Sequence, residues 1–289
     1  MSSENFKTLS SAHEAFVAFL SEQKRAHATI LAYSKDIEQL VSFLKDSGKT
    51  ETQSVDKTDL ENFLKKLGSE GYTPKSLSRK INSIKTFYRF LKINNAIDAN
   101  PASEISHPKY DIKPPRVLTK MEYRALRDAC RTDTRTYAIV ELFLQTGIRI
   151  GELANLKVSD MKDKELQISA QEGHPARSVP LNKAAQTALD HWLEIRPQTE
   201  NEAFFVTKTG RALLVRNIRT TIDRYFKIAG IEGAKVNDLR HTFIAHHLAS
   251  GTPLTTISKL VGHKRLSTTE KYLNIVKEKM VENVKLEEL

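Results

Sequence analysis

Apolar residues recur at helical spacing through the first hundred residues of the chain. In "TILAYSKDIEQLVSFLK" Ile30, Tyr33, Ile37, Leu40, Val41 and Leu44 fall on one face, which predicts an amphipathic helix. "TPKSLSRKINSIKTFYRFLK" opens with Thr73 as N-cap and Pro74 at the first helical position, and Leu77, Ile81, Ile84, Tyr88 and Leu91 form its stripe. Periodicity then stops: "HPKYDIKPPRV", residues 107–117, holds three prolines and reads as a linker. Thr119 and Glu122 make a capping box that opens a new helix. Further on, "LKVSDM", "ELQIS" and "RSVPL" are short, partly alternating runs that predict a small antiparallel sheet. Helices resume at Asn182, around 215–229 and over 237–250, the last stopped by Gly251. The expected fold is mainly α. A helical domain covers 1–107, a linker 108–116, and a mostly helical domain with a small antiparallel β-sheet covers 117–289.

Composition narrows the class. The chain has 289 residues, 39% of them hydrophobic, which is ample for a core in each of two domains. Its net charge is +10, and 30 Lys and Arg face 22 Asp and Glu beyond residue 107, against 15 and 13 before it. A basic excess of this kind favours an anionic partner, although a merely basic surface gives the same count. Cys130 is the single cysteine, so no intrachain disulfide forms, and a reducing cytoplasm fits. No apolar run reaches the roughly 20 residues that span a bilayer, and "MSSENFKTLSS" has no apolar signal core. No membrane partner is expected.

Candidate chemistry sits where helices are expected to end or begin. In "TGIRIGEL" a helix ends at Thr146 and Gly147, and Arg149 lies in the junction. In "VNDLRHTF" Asn237 is the expected N-cap, with Arg240 in the first turn. His263 follows Gly262, and Ser267 with Glu270 forms a capping box that places Tyr272 early on a short helix. Two arginines can grip the non-bridging oxygens of one phosphodiester with paired N–H donors. A histidine can donate to the same phosphate or move a proton, and a tyrosine can attack phosphorus there. No metal or other cofactor is needed for that. His241, His246 and His247 in "RHTFIAHH" lack the pairing with glutamate or cysteine that a metal site requires. Singly, each of the four residues has a bland reading as a surface or core residue; their order and spacing carry the inference.

Arg149 in "TGIRIGEL", Arg240 in "DLRHTF", His263 in "LVGH" and Tyr272 in "STTEKY" resemble the boxes of the tyrosine recombinases, the phage-integrase and Xer-like family. The likeness spans almost the whole chain, including the "PPRVLT" entry to the second domain and the hairpin ending in "RSVPL". It implies a site-specific recombinase whose first domain clamps DNA. Tyrosine would attack a DNA phosphate to give a 3′-phosphotyrosyl link and a free 5′-hydroxyl. A partner strand's hydroxyl would then attack that link, passing through a Holliday junction. The implied partner is double-stranded DNA, bound by a homotetramer with a dimer at each site. Bond energy stays in the covalent link, so no nucleotide is consumed; "GKT" at 48–50 indeed lacks the upstream glycine of a phosphate loop. Glu152 would orient an arginine or face solvent.

Two positions depart from the family pattern. The family places a lysine in the hairpin as general acid, where Glu172 stands here; Glu172 itself, Lys162 or Lys164 could serve instead. The family favours histidine three residues before the second arginine, where Asn237 stands, able to bond a phosphate but not to shuttle a proton. "VRNIRTTIDRYF" sets Arg216, Asn217, Arg219 and Arg224 on a helix that the family lays in the major groove, and these side-chain types read guanine and adenine edges. Lys75, Arg79, Lys80 and Arg89 on the helix after Thr73 are further candidates for phosphate contact. In each helix a solvated basic face is the competing reading. Leu273, Val276, Met280 and Val284 mark a tail that in the family packs onto a neighbouring subunit, unless it packs back on its own domain. Two other functions stay open: a family member that binds DNA without cleaving it, and a type IB topoisomerase-like enzyme. The first would form no covalent adduct, and the second would relax plasmid lacking any special site.

Overall fold

We describe a computed structural model of the chain over residues 6–111, 113–171 and 173–281, with the side chains of 277–281 set aside. The chain divides into two compact units, Met1–Ile112 and Lys113–Leu289.

Among the described residues four α-helices build the first unit: α1 (Leu9–Glu22), α2 (His27–Asp46), α3 (Lys57–Ser69) and α4 (Pro74–Ile93). Thr73 Oγ1 accepts the Ser76 amide and Pro74 sits at the first position, which is why α4 starts where the sequence predicts. Its buried face carries Ile81, Ile84, Phe87, Tyr88 and Leu91. Phe16 of α1 meets the rings of Phe87 and Phe90 with centroids 5.3 and 5.6 Å away, edge and tilted contacts that suit the ring quadrupoles.

One acidic residue among those described in this unit, Asp36 of α2, is buried against α4 at 2% exposure. A buried carboxylate must be paired, and α4 supplies the partners. Arg79 forks onto both carboxylate oxygens, Lys80 Nζ donates to Oδ1 at 2.9 Å and Ser83 Oγ to Oδ2 at 2.7 Å. Lys80 also donates to Gln39 Oε1 and is itself 5% exposed. The expectation of Lys80 as a DNA contact is therefore corrected: its charge is spent on Asp36 inside the unit. Arg79 is half-exposed but likewise turned onto Asp36, whereas Lys75 and Arg89 are exposed.

The second unit runs α5 (Lys120–Cys130), α6 (Thr134–Thr146), α7 (Ile150–Ala154), strands β1 (Met161–Lys162), β2 (Glu165–Ile168) and β3 (Arg177–Pro180), then α8 (Lys183–Ile195), α9 (Val215–Ile228), α10 (Val236–Ala249), α11 (Leu254–Val261) and α12 (Ser267–Val281). The sheet is antiparallel in the order β1-β2-β3, with Leu166 opposite Val179 and Ile168 opposite Arg177. "LKVSDM" contributes less strand than predicted. Asp160 Oδ2 accepts the Lys157 amide and winds Val158–Asp160 into a 3₁₀ turn, leaving two residues for β1. Helix α6 is buried nearly all round and packs against α5, α8, α9 and α10. On the far side of α10, a smaller apolar cluster joins Phe243 and Ile244 to Ile257 and Val261 of α11 and to Tyr272, Ile275 and Val276 of α12. Val276 of the expected tail thus packs on its own unit, while Met280 and Val284 lie outside the residues whose side chains are described. Among the described residues no helix is long and apolar enough to cross a membrane.

Candidate active site

Three arginines converge on the C-terminal end of α11. The last carbonyls of a helix have no intrahelical donor and carry the negative end of its dipole. Here each of three successive carbonyls takes a different guanidinium. Arg177 Nε donates to Leu260 O at 2.7 Å, Arg240 Nη2 to Val261 O at 2.7 Å, and Arg149 Nη2 to Gly262 O at 2.7 Å. Gly262 closes the helix in the left-handed region (φ +67°), and a Cβ there would stand 2.9 Å from Arg177 Nη1. Glycine is needed on both counts.

The other ends of the arginines are fixed as well. Arg240 Nη1 donates to the carbonyl of Gly147, the left-handed residue that ends α6; a side chain on Gly147 would strike the Phe243 ring. Glu152 of α7 is buried between Arg149 and Arg177. Its oxygens accept the Arg149 amide at 2.8 Å, Arg149 Nη1 at 2.9 Å, and Nη1 and Nη2 of Arg177 at 2.8 Å each. Burial alone raises its pKa, but the Arg177 fork, the Arg149 amide and the two guanidinium charges outweigh it and hold the carboxyl at about 2. Of its two expected roles, Glu152 takes the first and orients arginines. Three guanidinium groups against one carboxylate leave the cluster positive. Burial, then Arg149, brings the Arg240 pKa down to about 9, which still leaves it charged at neutral pH. Nε of Arg149 and of Arg240 has no partner among the described residues, so donors remain for an anion.

His263 follows Gly262, and its amide bonds back to Ser258 O at 3.0 Å, the helix-closing bond that sets the direction of its side chain. Nδ1 lies 2.8 Å from the hydroxyl of buried Thr269. Burial, with Arg240 and Arg149 nearby, lowers its pKa to about 4, so the ring is neutral at pH 7. When Nδ1 accepts the Thr269 hydroxyl, Nε2 carries the hydrogen and can donate. Tyr272 is 4% exposed, and its hydroxyl lies 2.6 Å from Nδ1 of His241. Burial pushes the phenol pKa up to about 12, with the Arg240 charge acting against the rise.

The unit thus gathers Arg149, Arg240, His263 and Tyr272 around the junctions α6–α7 and α11–α12 and the buried helix α10. Details differ from expectation. Helix α10 begins at Val236, because Asp238 Oδ2 accepts the Lys235 amide at 2.8 Å; Asn237 is an exposed first-turn residue and not the cap. Likewise α12 is no short helix and has no Ser267–Glu270 box: the Thr269 and Glu270 amides bond to Leu266 O, and Tyr272 falls in the second turn. Glu172 lies outside the described residues, and Lys162 and Lys164 are exposed on the β1–β2 turn. The charge that does meet the β2–β3 turn comes from Lys264, since a Cβ on Gly173 would stand 2.6 Å from its Nζ. Its neighbour His174 has a buried Nδ1 with no partner among the described residues, and burial, then Arg149 and Lys264, lowers its pKa.

Sequence reasoning missed Arg177, His241, Thr269 and Lys264. Arg177 was legible, since it shares a strand face with buried Val179 two residues on. His241 was weighed only as a metal ligand. On α9, Ile218, Ile222, Tyr225 and Phe226 are buried, and Arg216, Asn217, Arg219 and Arg224 are exposed.

Residues 116–279 match the phage integrase family, and residues 14–95 match its N-terminal SAM-like domain. The chain is 31% identical over 271 residues to the tyrosine recombinase XerC of Shewanella amazonensis, covering 91% of this chain and 90% of that protein. It is 30% identical over 279 residues to the tyrosine recombinase XerD of Listeria innocua, covering 91% and 93%. Among solved structures, a lambda integrase tetramer bound to a Holliday junction shares the fold, with a TM-score of 0.75 at 19% identity over 91% of this chain and 79% of that one. An α-helical unit with a small antiparallel sheet is what the chain shares with that structure. The chain belongs to the phage integrase family of tyrosine recombinases.

Proposed function

We propose that the chain is a site-specific recombinase that cuts and rejoins duplex DNA through Tyr272. What supports this most is the cluster of Arg149, Arg240 and Arg177 on the α11 carbonyls, with His263 and Tyr272 beside it. A phosphodiester entering the cluster meets the spare donors of Arg149 and Arg240 on its non-bridging oxygens, and His263 Nε2 donates to the same group. The donors are held in place before substrate arrives, so charge developing at phosphorus is stabilised without reorganisation. Tyr272 Oη attacks, the 3′-phosphotyrosyl link forms and a 5′-hydroxyl leaves. Lys264, over the β2–β3 turn, is the side chain suited to protonate that oxygen; its place is taken from the Gly173 contact. Rejoining to a partner strand passes through a Holliday junction in a homotetramer, with a dimer at each site.

Residues 1–107 serve as the DNA-clamping domain, 108–116 as the linker and 117–289 as the catalytic domain. Arg216, Asn217, Arg219 and Arg224 on the exposed side of α9, with Lys75 and Arg89 on α4, contact DNA. The protein acts in the cytoplasm, in dimer resolution or in integration and excision of a mobile element.

Covalent trapping tests the reading. Wild-type protein and Tyr272→Phe are incubated with nicked duplexes cut from DNA flanking the gene, and detergent-resistant adducts are scored. An adduct with wild type that disappears in Tyr272→Phe is expected. DNA that is bound without any adduct would instead make the chain a binding protein.

A further inference from the structure

The hydroxyl of Tyr272 meets an imidazole. Nδ1 of His241 lies 2.6 Å from Oη, with ring centroids 5.7 Å apart. A phenol whose pKa is pushed up to about 12 ionises too little at neutral pH to attack readily unless something takes its proton. Asn237, exposed in the first turn of the same helix, is an amide and cannot. His263 has its Nδ1 on Thr269.

We propose that His241 is the general base of the reaction, its Nδ1 taking the Tyr272 proton as Oη attacks phosphorus. The inference rests on Tyr272 being the nucleophile.

The step balances. The proton passes to Nδ1, and the pair it leaves on Oη forms the O–P bond. The P–O5′ bond breaks with its pair on the 5′ oxygen, which takes a proton from the Lys264 ammonium. In rejoining, the incoming 5′-hydroxyl gives its proton to the Lys264 amine and attacks phosphorus. Tyr272 leaves with its pair and recovers its proton from the His241 imidazolium. Nothing is oxidised, and both groups end as they began.

The surroundings of His241 suit a base that must also let go. Burial favours the neutral ring, Asp238 on the same helix favours the cation, and Arg240 opposes it. Among the described residues, Tyr272 on α12 and His263 after α11 are the other titratable groups beside it. A neutral ring with its hydrogen on Nε2 presents a lone pair at Nδ1. After proton transfer, Asp238 steadies the imidazolium, and Arg240 keeps it from outlasting the covalent intermediate.

The test is single-turnover adduct formation on the nicked duplex, followed against pH for wild type, His241→Gln, His241→Ala and Tyr272→Phe. Glutamine can accept the phenol hydrogen bond but not the proton. The wild-type rate should rise with pH and level off by about the ordinary histidine value of 6.5. His241→Gln should be slower by about 10²-fold or more at neutral pH and lack that plateau, its rate still climbing as hydroxide replaces the base. Added imidazole should speed His241→Ala. A duplex with sulfur at the bridging 5′ position, whose leaving thiolate needs no proton, should not rescue His241→Gln.

A His241→Gln variant with the wild-type rate and profile overturns the inference. So does rescue by the sulfur duplex, which would move His241 to the leaving-group side, or a faster His241→Ala, which would make the contact a resting clamp. In each case an adduct lost in Tyr272→Phe leaves the recombinase reading standing. An adduct that persists in Tyr272→Phe, or none with wild type, removes both.

Discussion

Asp36 in the first unit and Glu152 in the second are each buried, and each is gripped by two basic side chains. They nevertheless do opposite things. Around Asp36 the positive charge is consumed: Lys80 is buried with it, Arg79 forks onto it, and the result ties α4 to α2. Around Glu152 it is left over. A third arginine, Arg240, joins the cluster, and much of the hydrogen bonding comes from neutral carbonyls at the end of α11 instead of from acids. Carbonyl dipoles hold guanidinium groups in position without cancelling their charge. That is how the arginine cluster keeps its positive charge.

The largest effects should come from removing each acid. Asp36→Ala strands Lys80 without its counter-charge and should cost about 3–5 kcal/mol, read by denaturant unfolding. Replacing Lys80 by Met in the same chain should restore much of it. At a temperature where Asp36→Ala stays folded, its adduct rate on saturating DNA should remain within about twofold of wild type. Glu152→Gln should lose both, because Arg149 and Arg177 then face each other with no charge between them. An Asp36 variant that keeps its stability, or a Glu152 variant that keeps its adduct rate, would break the contrast.

Acid should separate the two units next. Among the described residues His13 in the first unit has a lowered pKa, against His174, His241, His247 and His263 in the second, with burial the leading cause each time. A histidine lowered on folding is protonated first in the unfolded chain. Stability is therefore whole above about 6.5 and drains as pH falls through that value, until the folded ring also takes its proton, near 4 for His263. Glu152 has the usual carboxylate sign: its stabilisation holds above 4.5 and is lost as pH falls toward about 2. Above about 4.5 the histidine effect acts before that of Glu152, so mild acid should weaken the second unit more than the first. Trp192, the chain's single tryptophan, sits in the second unit. Its fluorescence should report unfolding at a lower denaturant concentration on acidification than the far-ultraviolet dichroism of the whole chain does. Coincident shifts would mean that the histidines do not act as stated.

The two regions also differ in how far they could be read without coordinates. Local rules served well where a residue answers to its neighbours in the chain: Thr73 and Pro74 start α4, Thr119 with Glu122 starts α5, and Gly147 and Gly262 end their helices. Motif order brought Arg149, Arg240, His263 and Tyr272 together. What escaped was pairing at a distance. Lys80 looks free on α4 until Asp36, 44 positions earlier, is found opposite it. Asp36 was itself a signal, an acid between Tyr33 and Ile37 on an apolar face. His241 meets Tyr272 across 31 positions, and no local spacing encodes that contact.

The smallest effect tests that lesson on two residues whose types suit DNA contact. Each phosphate that a lysine or arginine neutralises adds about 0.9 to the slope of log affinity against log salt. Arg219, exposed on α9, and Lys80, enclosed with Asp36, carry the same charge and were equal candidates on sequence. Arg219→Ala should lower the slope by about 1 and weaken binding to every duplex if it touches phosphate. If it reads a base edge, the loss should fall on one sequence by about 1–3 kcal/mol and leave the slope nearly unchanged. Lys80→Met, made together with Asp36→Ala so that no buried charge is stranded, should leave both slope and sequence preference as they are. Anisotropy titrations of a labelled duplex across a salt series measure all three. A slope that falls with Lys80 and holds with Arg219, with no sequence-specific loss, would mean that the α4 charges, buried or not, still reach the DNA.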